Sequence, residues 1–216
     1  MRLTVDHRTT YRFSEPQERL VQLLRLTPAN CHDQTVTRWD IHVDCDARLR
    51  TGRDGFGNIV TMLYADASLS AIDIAVEGEV VTSHSDGVVH GAPEPLPAAL
   101  FLRPTEGTPA DPTIAEAARD AASGLEQLGG LHRWNAALHR ERPVVWQRGL
   151  PGLDAGAAWR EGAATPRDLA QVFIVGARAL GAPARYVSGY YLPEDAGEHR
   201  PAPHGWAEAH VPGLGW

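Results

Sequence analysis

Apolar and polar residues alternate with a period of two through the first part of the chain, and the period lengthens to that of a helix further on. Strand-type stretches rich in β-branched and aromatic residues run over Leu3–Phe13, Leu20–Leu26, Thr35–Cys45, Asn58–Tyr64 and Ala71–Thr82. Turn signals at Ser14-Glu15-Pro16, Pro28-Ala29-Asn30 and Gly55–Asn58 break them up. Several short strands so punctuated predict a β-sandwich-like domain over residues 1–86. Residues 87–112 are rich in proline and glycine and predict a semi-rigid, extended linker. A second domain follows over residues 113–216. Thr113-x-x-Glu116 is a capping-box signature that opens a helix to about Ala122. Leu125, Leu128, Leu131, Trp134 and Leu138 form a stripe at three-to-four spacing and predict an amphipathic helix despite Gly129-Gly130. Residues 142–164 read as loop.

The strongest pattern comes next. Thr165 suits an N-cap, Pro166 the first helical position and Asp168 the first turn, where a carboxylate complements the helix dipole. Leu169, Val172, Phe173, Ile174, Val175, Ala177 and Leu180 then leave hardly any polar face, as in a buried helix. Gly181 and Pro183 stop it. Ala184–Leu192 reads as a strand, and His204–Val211 as another with two distinct faces. Gly205, Ala207, Ala209 and Val211 form a small apolar face suited to packing on a helix. His204, Trp206, Glu208 and His210 point the other way. A buried helix start beside a strand bearing histidine is how a papain-type site is assembled, with a nucleophile at the helix N-terminus activated across a cleft.

These residues resemble the bacterial transglutaminase-like (cysteine protease-like) family, whose core reads G-x-C-x-D-F-A-H, then A-L-G-I-P-A-R-Y-V-S-G-Y, then H-A-W-x-E. Asp168, Ala170, Ala179-Leu180-Gly181, the run Pro183 to Tyr190, His204, Trp206 and Glu208 fall on that pattern. Asp54-Gly55-Phe56-Gly57-Asn58 resembles the D-x-F-G-N turn of the family's amino-terminal β domain. The resemblance implies an α+β protein: an N-terminal β-sandwich-like domain, then a papain-like transglutaminase core with a buried helix packed on an antiparallel sheet. It also implies cysteine-dependent amide hydrolysis or acyl transfer.

The chain departs from that chemistry at several points. The family's nucleophilic cysteine aligns with Pro166, and the only cysteines, Cys31 and Cys45, lie far upstream. Proline supplies neither a thiol nor the backbone N–H that a nucleophile position lends to an oxyanion hole. Ala163 and Ala164 replace the residues before the cysteine, and Gln171 stands where the family has histidine. The sequence reaches Trp216 before the aspartate that would orient His204. The expectation is a transglutaminase-like protein that has lost catalysis, with His204 a remnant base, and that acts as a binding or assembly module. Thr165, Asp168, Gln171, Ser188, Trp206 and Glu208 are the cleft candidates. The alternative is an active amide or peptide hydrolase or acyl transferase, in which His204 activates a substitute hydroxyl nucleophile at Thr165 or Ser188.

Composition narrows the partners. Net charge is −7, which speaks against a nucleic-acid surface. All 20 basic residues are arginine, which with the abundant alanine points to a GC-rich genome. No long apolar run or leader-type h-region appears in the sequence, so neither a membrane partner nor a secretory route is expected. Two cysteines make no disulfide framework, and a cytoplasmic location with reduced thiols is the expectation. His199, His204 and His210 have no standard metal-ligand spacing, and no cofactor is expected. A protein or peptide ligand is the expected partner, with homodimer formation possible through strand pairing at an exposed C-terminal edge.

Overall fold

The computed structural model describes residues 1–84, 86–145, 152–162, 164–192 and 204–216. Two compact units, Met1–Leu96 and Pro97–Trp216, make up an α+β protein.

The first unit consists of two antiparallel three-stranded sheets. Strands β1 (Arg2–Gln17), β6 (Leu69–Thr82) and β3 (Gln34–Val43) form one, in the order β1-β6-β3. Strands β2 (Leu20–Leu24), β5 (Ile59–Ala65) and β4 (Arg48–Arg53) form the other, in the order β2-β5-β4. Leu24, Leu63, Ala65, Ile72 and Ile74 come from both sheets and pack into one buried cluster, which is the sandwich predicted from alternation. The Ser14–Pro16 signal does not end β1. It appears instead as a break in register between Arg12 and Gln17. The six-residue β4 was not expected, because every residue of Arg-Leu-Arg-Thr-Gly-Arg is exposed and an edge strand of this kind carries no apolar period.

The Asp54–Asn58 turn is tightly bonded. Asp54 Oδ1 accepts from the Phe56 and Asn58 N–H groups at 2.9 and 3.0 Å, and Oδ2 from Asn58 Nδ2 and Arg25 Nε, both at 3.0 Å. Gly57 takes the positive φ of 87° that the turn requires.

In the second unit, α1 spans Pro112–Ala121 and α2 Gln127–Glu141. The N-cap of α1 is Asp111, which accepts from the Thr113 and Ile114 N–H groups, with Pro112 at the first helical position. The expected capping box at Thr113 is therefore displaced by a stronger Asp-Pro start signal just before it. Leu131, Trp134 and Leu138 are buried as the stripe predicts, but Leu125 precedes α2 and both it and Leu128 are exposed. A further correction lies inside the expected 142–164 loop: helix α3 spans Ala155–Glu161. Its buried residues are Ala155, Gly156 and Ala158, too small to give an apolar period, and its start and stop are Asp154 and Gly162.

Helix α4 (Pro166–Ala179) is central to this unit. None of its residues is exposed, which bears out the reading of a helix without a polar face. Its Val172 and Val175 join Ile114, Trp134, Leu138 and Ala158 in one cluster, while Ile174 and Ala177 join Leu131, Ala182 and Ala184 in another. Fully burying each of the valine, leucine and isoleucine side chains among them stabilises by about 1.5–3 kcal/mol. Gly176 lets Trp134 approach, since a Cβ there would overlap the buried indole. Strands β7 (Ala184–Gly189) and β8 (His204–Ala209) pair antiparallel and lay Ala184, Ala207 and Ala209 on the α4 cluster.

Residues 97–111 fold as part of this unit. A single 3₁₀ turn spans Ala98–Leu102, and Ala155 N–H donates to Gly107 O at 3.0 Å. Arg178 on α4 donates to Phe101 O (2.7 Å), Thr108 Oγ1 (2.7 Å) and Ala184 O (2.9 Å).

Candidate functional site

The start of α4 is the first half of the site. Thr165 is its N-cap and Pro166 its first residue, and a complete capping box joins Thr165 to Asp168. Asp168 is only 4% exposed. Its Oδ2 accepts from Thr165 Oγ1 at 2.6 Å and from the Thr165 N–H at 3.2 Å, and its Oδ1 accepts from the Leu153 N–H at 3.3 Å. Arg167 Nε lies 3.7 Å from Asp168 Oδ1, and the Arg167 guanidinium covers Gly152 so closely that any side chain there would collide with it. Gln171, one turn further on, sets its amide against Gly107. Its buried Oε1 has no hydrogen-bond partner among the described residues.

The second half is β8. His204 pairs with Gly189, Trp206 with Val187 and Glu208 with Arg185. The period of two places these three side chains on the face away from Ala207 and Ala209, the residues that pack on the α4 cluster. His204 stacks on Tyr191 at 5.0 Å between ring centroids and meets Trp206 at 4.4 Å. Burial among these rings lowers the His204 pKa below the ordinary histidine value, which favours the neutral imidazole. Trp206 is 37% exposed and leans over Gly189, where a Cβ would sit 3.2 Å from the indole. Glu208 accepts from Arg185 Nε at 2.7 Å, and the Arg185 guanidinium lies 4.1 Å from the Trp216 ring.

Of the substitute hydroxyls, Thr165 Oγ1 is engaged in the cap, and Ser188 is exposed on β7 opposite Gly205. Tyr186, which is not among the cleft candidates, lies beside the start of α4 on the face of β8 that carries Gly205 and Ala207, opposite the face that carries His204. Its hydroxyl lies over Gly205, 2.5 Å from where a Cβ would be, and senses the charges of Arg167 and Asp168. Burial, the larger influence, raises its pKa. The available signal was Gly205 itself, because a glycine inside a strand marks a close approach.

Among the described residues no three His, Cys, Asp or Glu side chains converge to hold a metal ion, and no helix is long and apolar enough to cross a membrane. His199 and Ala163 lie outside the described residues. Cys31 and Cys45 are free thiols, and Cys31 Sγ donates to Asp33 Oδ1 at 2.9 Å.

Comparison with known proteins agrees with the fold. Residues 3–81 match the bacterial transglutaminase-like N-terminal region, and residues 139–216 match the transglutaminase-like superfamily. No curated protein matches the chain. Among solved structures, one named "Putative Cysteine Protease from Cytophaga hutchinsonii" aligns over 99% of this chain and 74% of its own, with a TM-score of 0.75 at 16% identity, which shows the fold. The periplasmic domain of TgpA from Pseudomonas aeruginosa aligns over 94% of this chain and 70% of its own, at 16% identity and a TM-score of 0.43. With its amino-terminal β unit and its core helix packed on β7 and β8, the chain belongs to the bacterial transglutaminase-like family.

Proposed function

We propose that this protein does not perform cysteine-dependent acyl transfer and uses its transglutaminase-like core as a binding or assembly module for a protein or peptide ligand. The observation that carries this reading is Pro166 at the first position of α4. A helix N-terminus activates a cysteine there by favouring the thiolate, with a backbone N–H at the same residue steadying the oxyanion. Proline offers neither group. Losing one oxyanion donor alone typically costs about 10²–10³ in rate. The nearest hydroxyl, on Thr165, donates to Asp168 Oδ2 and accepts from the Asp168 N–H, so it is bound into the helix cap rather than poised toward a base.

The test is ammonia release from glutamine-containing and short peptides by the native protein, Pro166→Cys and His204→Ala. A silent native protein that still binds a peptide from the set, by fluorescence anisotropy, supports the reading. A signal gained by Pro166→Cys would add that the cleft has lost only its nucleophile. Turnover by the native protein that disappears in His204→Ala overturns it.

A further inference from the structure

A second concavity lies at the other end of α4. Val175, Arg178 and Ala179 from the last turns of α4, Ala115 and Arg119 from α1, and the segment from Leu102 to Pro112 enclose a cleft of about 490 Å³. Ten residues separate Asp168 from Arg178, about 15 Å along a helix, so the cleft is distinct from the site at Thr165 and Asp168. Its volume falls within the range of about 300–1,000 Å³ typical of small-molecule sites.

The lining has a clear chemical character. Leu102, Pro104, Pro109, Pro112, Ala115 and Val175 make it chiefly apolar. Arg178 is half-buried at its wall, and its three hydrogen bonds all go to neutral acceptors, two carbonyls and the Thr108 hydroxyl. A guanidinium carries five N–H donors, so two are unused by these bonds. No carboxylate pairs with it among the described residues, and burial alone lowers its pKa. An uncompensated, partly desolvated cation beside apolar surface favours an anionic partner. Arg119, exposed on α1, adds a second positive charge at the rim. Asp111 is the acid in the lining, and its Oδ1 is committed to the Thr113 and Ile114 N–H groups and the Thr113 hydroxyl.

We propose that this cleft binds a small apolar carboxylic acid, with Arg178 and Arg119 holding the carboxylate and the Leu, Pro and Val lining covering the hydrocarbon body. The site does not depend on whether the core retains chemistry.

Octanoate titrated into the full chain by isothermal calorimetry tests this, beside octanol, Arg119→Glu and Ala115→Phe. The first variant reverses charge at the exposed rim, and the second fills the cleft while leaving every Arg178 hydrogen bond in place. Saturable 1:1 binding of octanoate is expected, weakened about tenfold or more in both variants, with octanol at least about tenfold weaker than octanoate. No saturable binding of octanoate, equal binding of octanol, or an unchanged affinity in either variant overturns the proposal. Circular dichroism of Ala115→Phe guards against misfolding, and Arg119→Glu decides the matter if that variant does not fold.

Discussion

Thr165 and Asp168 hold one another across the first turn of α4: the hydroxyl donates to the carboxylate at 2.6 Å, and the Asp168 N–H returns to the same hydroxyl at 3.3 Å. The two residues also fix where the chain enters the helix, because the carboxylate takes the Thr165 and Leu153 N–H groups as well. Thr165→Ala should therefore lower stability by about 1 kcal/mol, the usual cost of losing an N-cap. Asp168→Ala should cost more, about 3 kcal/mol, since it strands several part-buried donors. Denaturant midpoints of the second unit's transition check the order. Equal losses would mean that the Thr165 and Leu153 N–H contacts to the carboxylate contribute nothing.

At Gly176 two effects oppose each other. Alanine inside a helix gains about 1 kcal/mol over glycine. Here, however, the new Cβ would overlap the indole of Trp134, which is 1% exposed and donates from Nε1 to Phe173 O at 3.2 Å. A buried ring cannot swing aside, and overpacking costs about 1–3 kcal/mol or more. Gly176→Ala should thus destabilise on balance. A raised melting temperature would show that Trp134 can shift.

The Asp54 turn makes stability depend on pH. Burial would raise the Asp54 pKa, but hydrogen bonds from the Asn58 amide, Arg25 and the Asn58 and Phe56 N–H groups outweigh it and hold the value at about 2, below the ordinary 3.8. A depressed carboxylate pKa contributes stability above its unfolded value and loses it as pH falls through the folded one. Native protein should therefore exceed Asp54→Asn in urea midpoint at pH 6, and the gap should close between about pH 4 and about pH 2. A gap independent of pH would refute the linkage.

His204 should titrate in the opposite sense to a salt-bridged histidine. Burial lowers its pKa, so the folded state prefers the neutral ring, and protonation of the unfolded chain draws stability down as pH falls below the ordinary value of 6.5. The Hε1 proton resonance should have its midpoint below 6.5. Trp206→Ala, by opening one wall of the ring stack, should move that midpoint upward. An unchanged midpoint would locate the burial elsewhere.

Helix α4 was legible because its signals are local and unambiguous: Thr165, Pro166 and Asp168 at one end, Gly181 at the other, and apolar residues all round between them. The sandwich strands were legible for the same reason, since a half-buried sheet imposes alternation on its sequence. Strand β4 and helix α3 were not. The first is an exposed edge of arginines, and the second buries alanine and glycine, so neither writes an apolar period. At the site, the two faces of β8 could be read from His204–Val211. The placement of the Tyr186 hydroxyl over Gly205 could not, because it depends on the pairing of Tyr186 with Ala207 across β7 and β8.

The three-way grip of Arg178 bears on where this protein can be cut. A fragment starting at Pro112, where α1 begins, would keep every regular helix and strand of the second unit. It would nevertheless strip Phe101 O and Thr108 Oγ1 from a half-buried guanidinium and leave only Ala184 O in its grasp. A fragment starting at Pro97 retains all three acceptors, so the second unit is better cut at its own boundary, fifteen residues before its first α-helix.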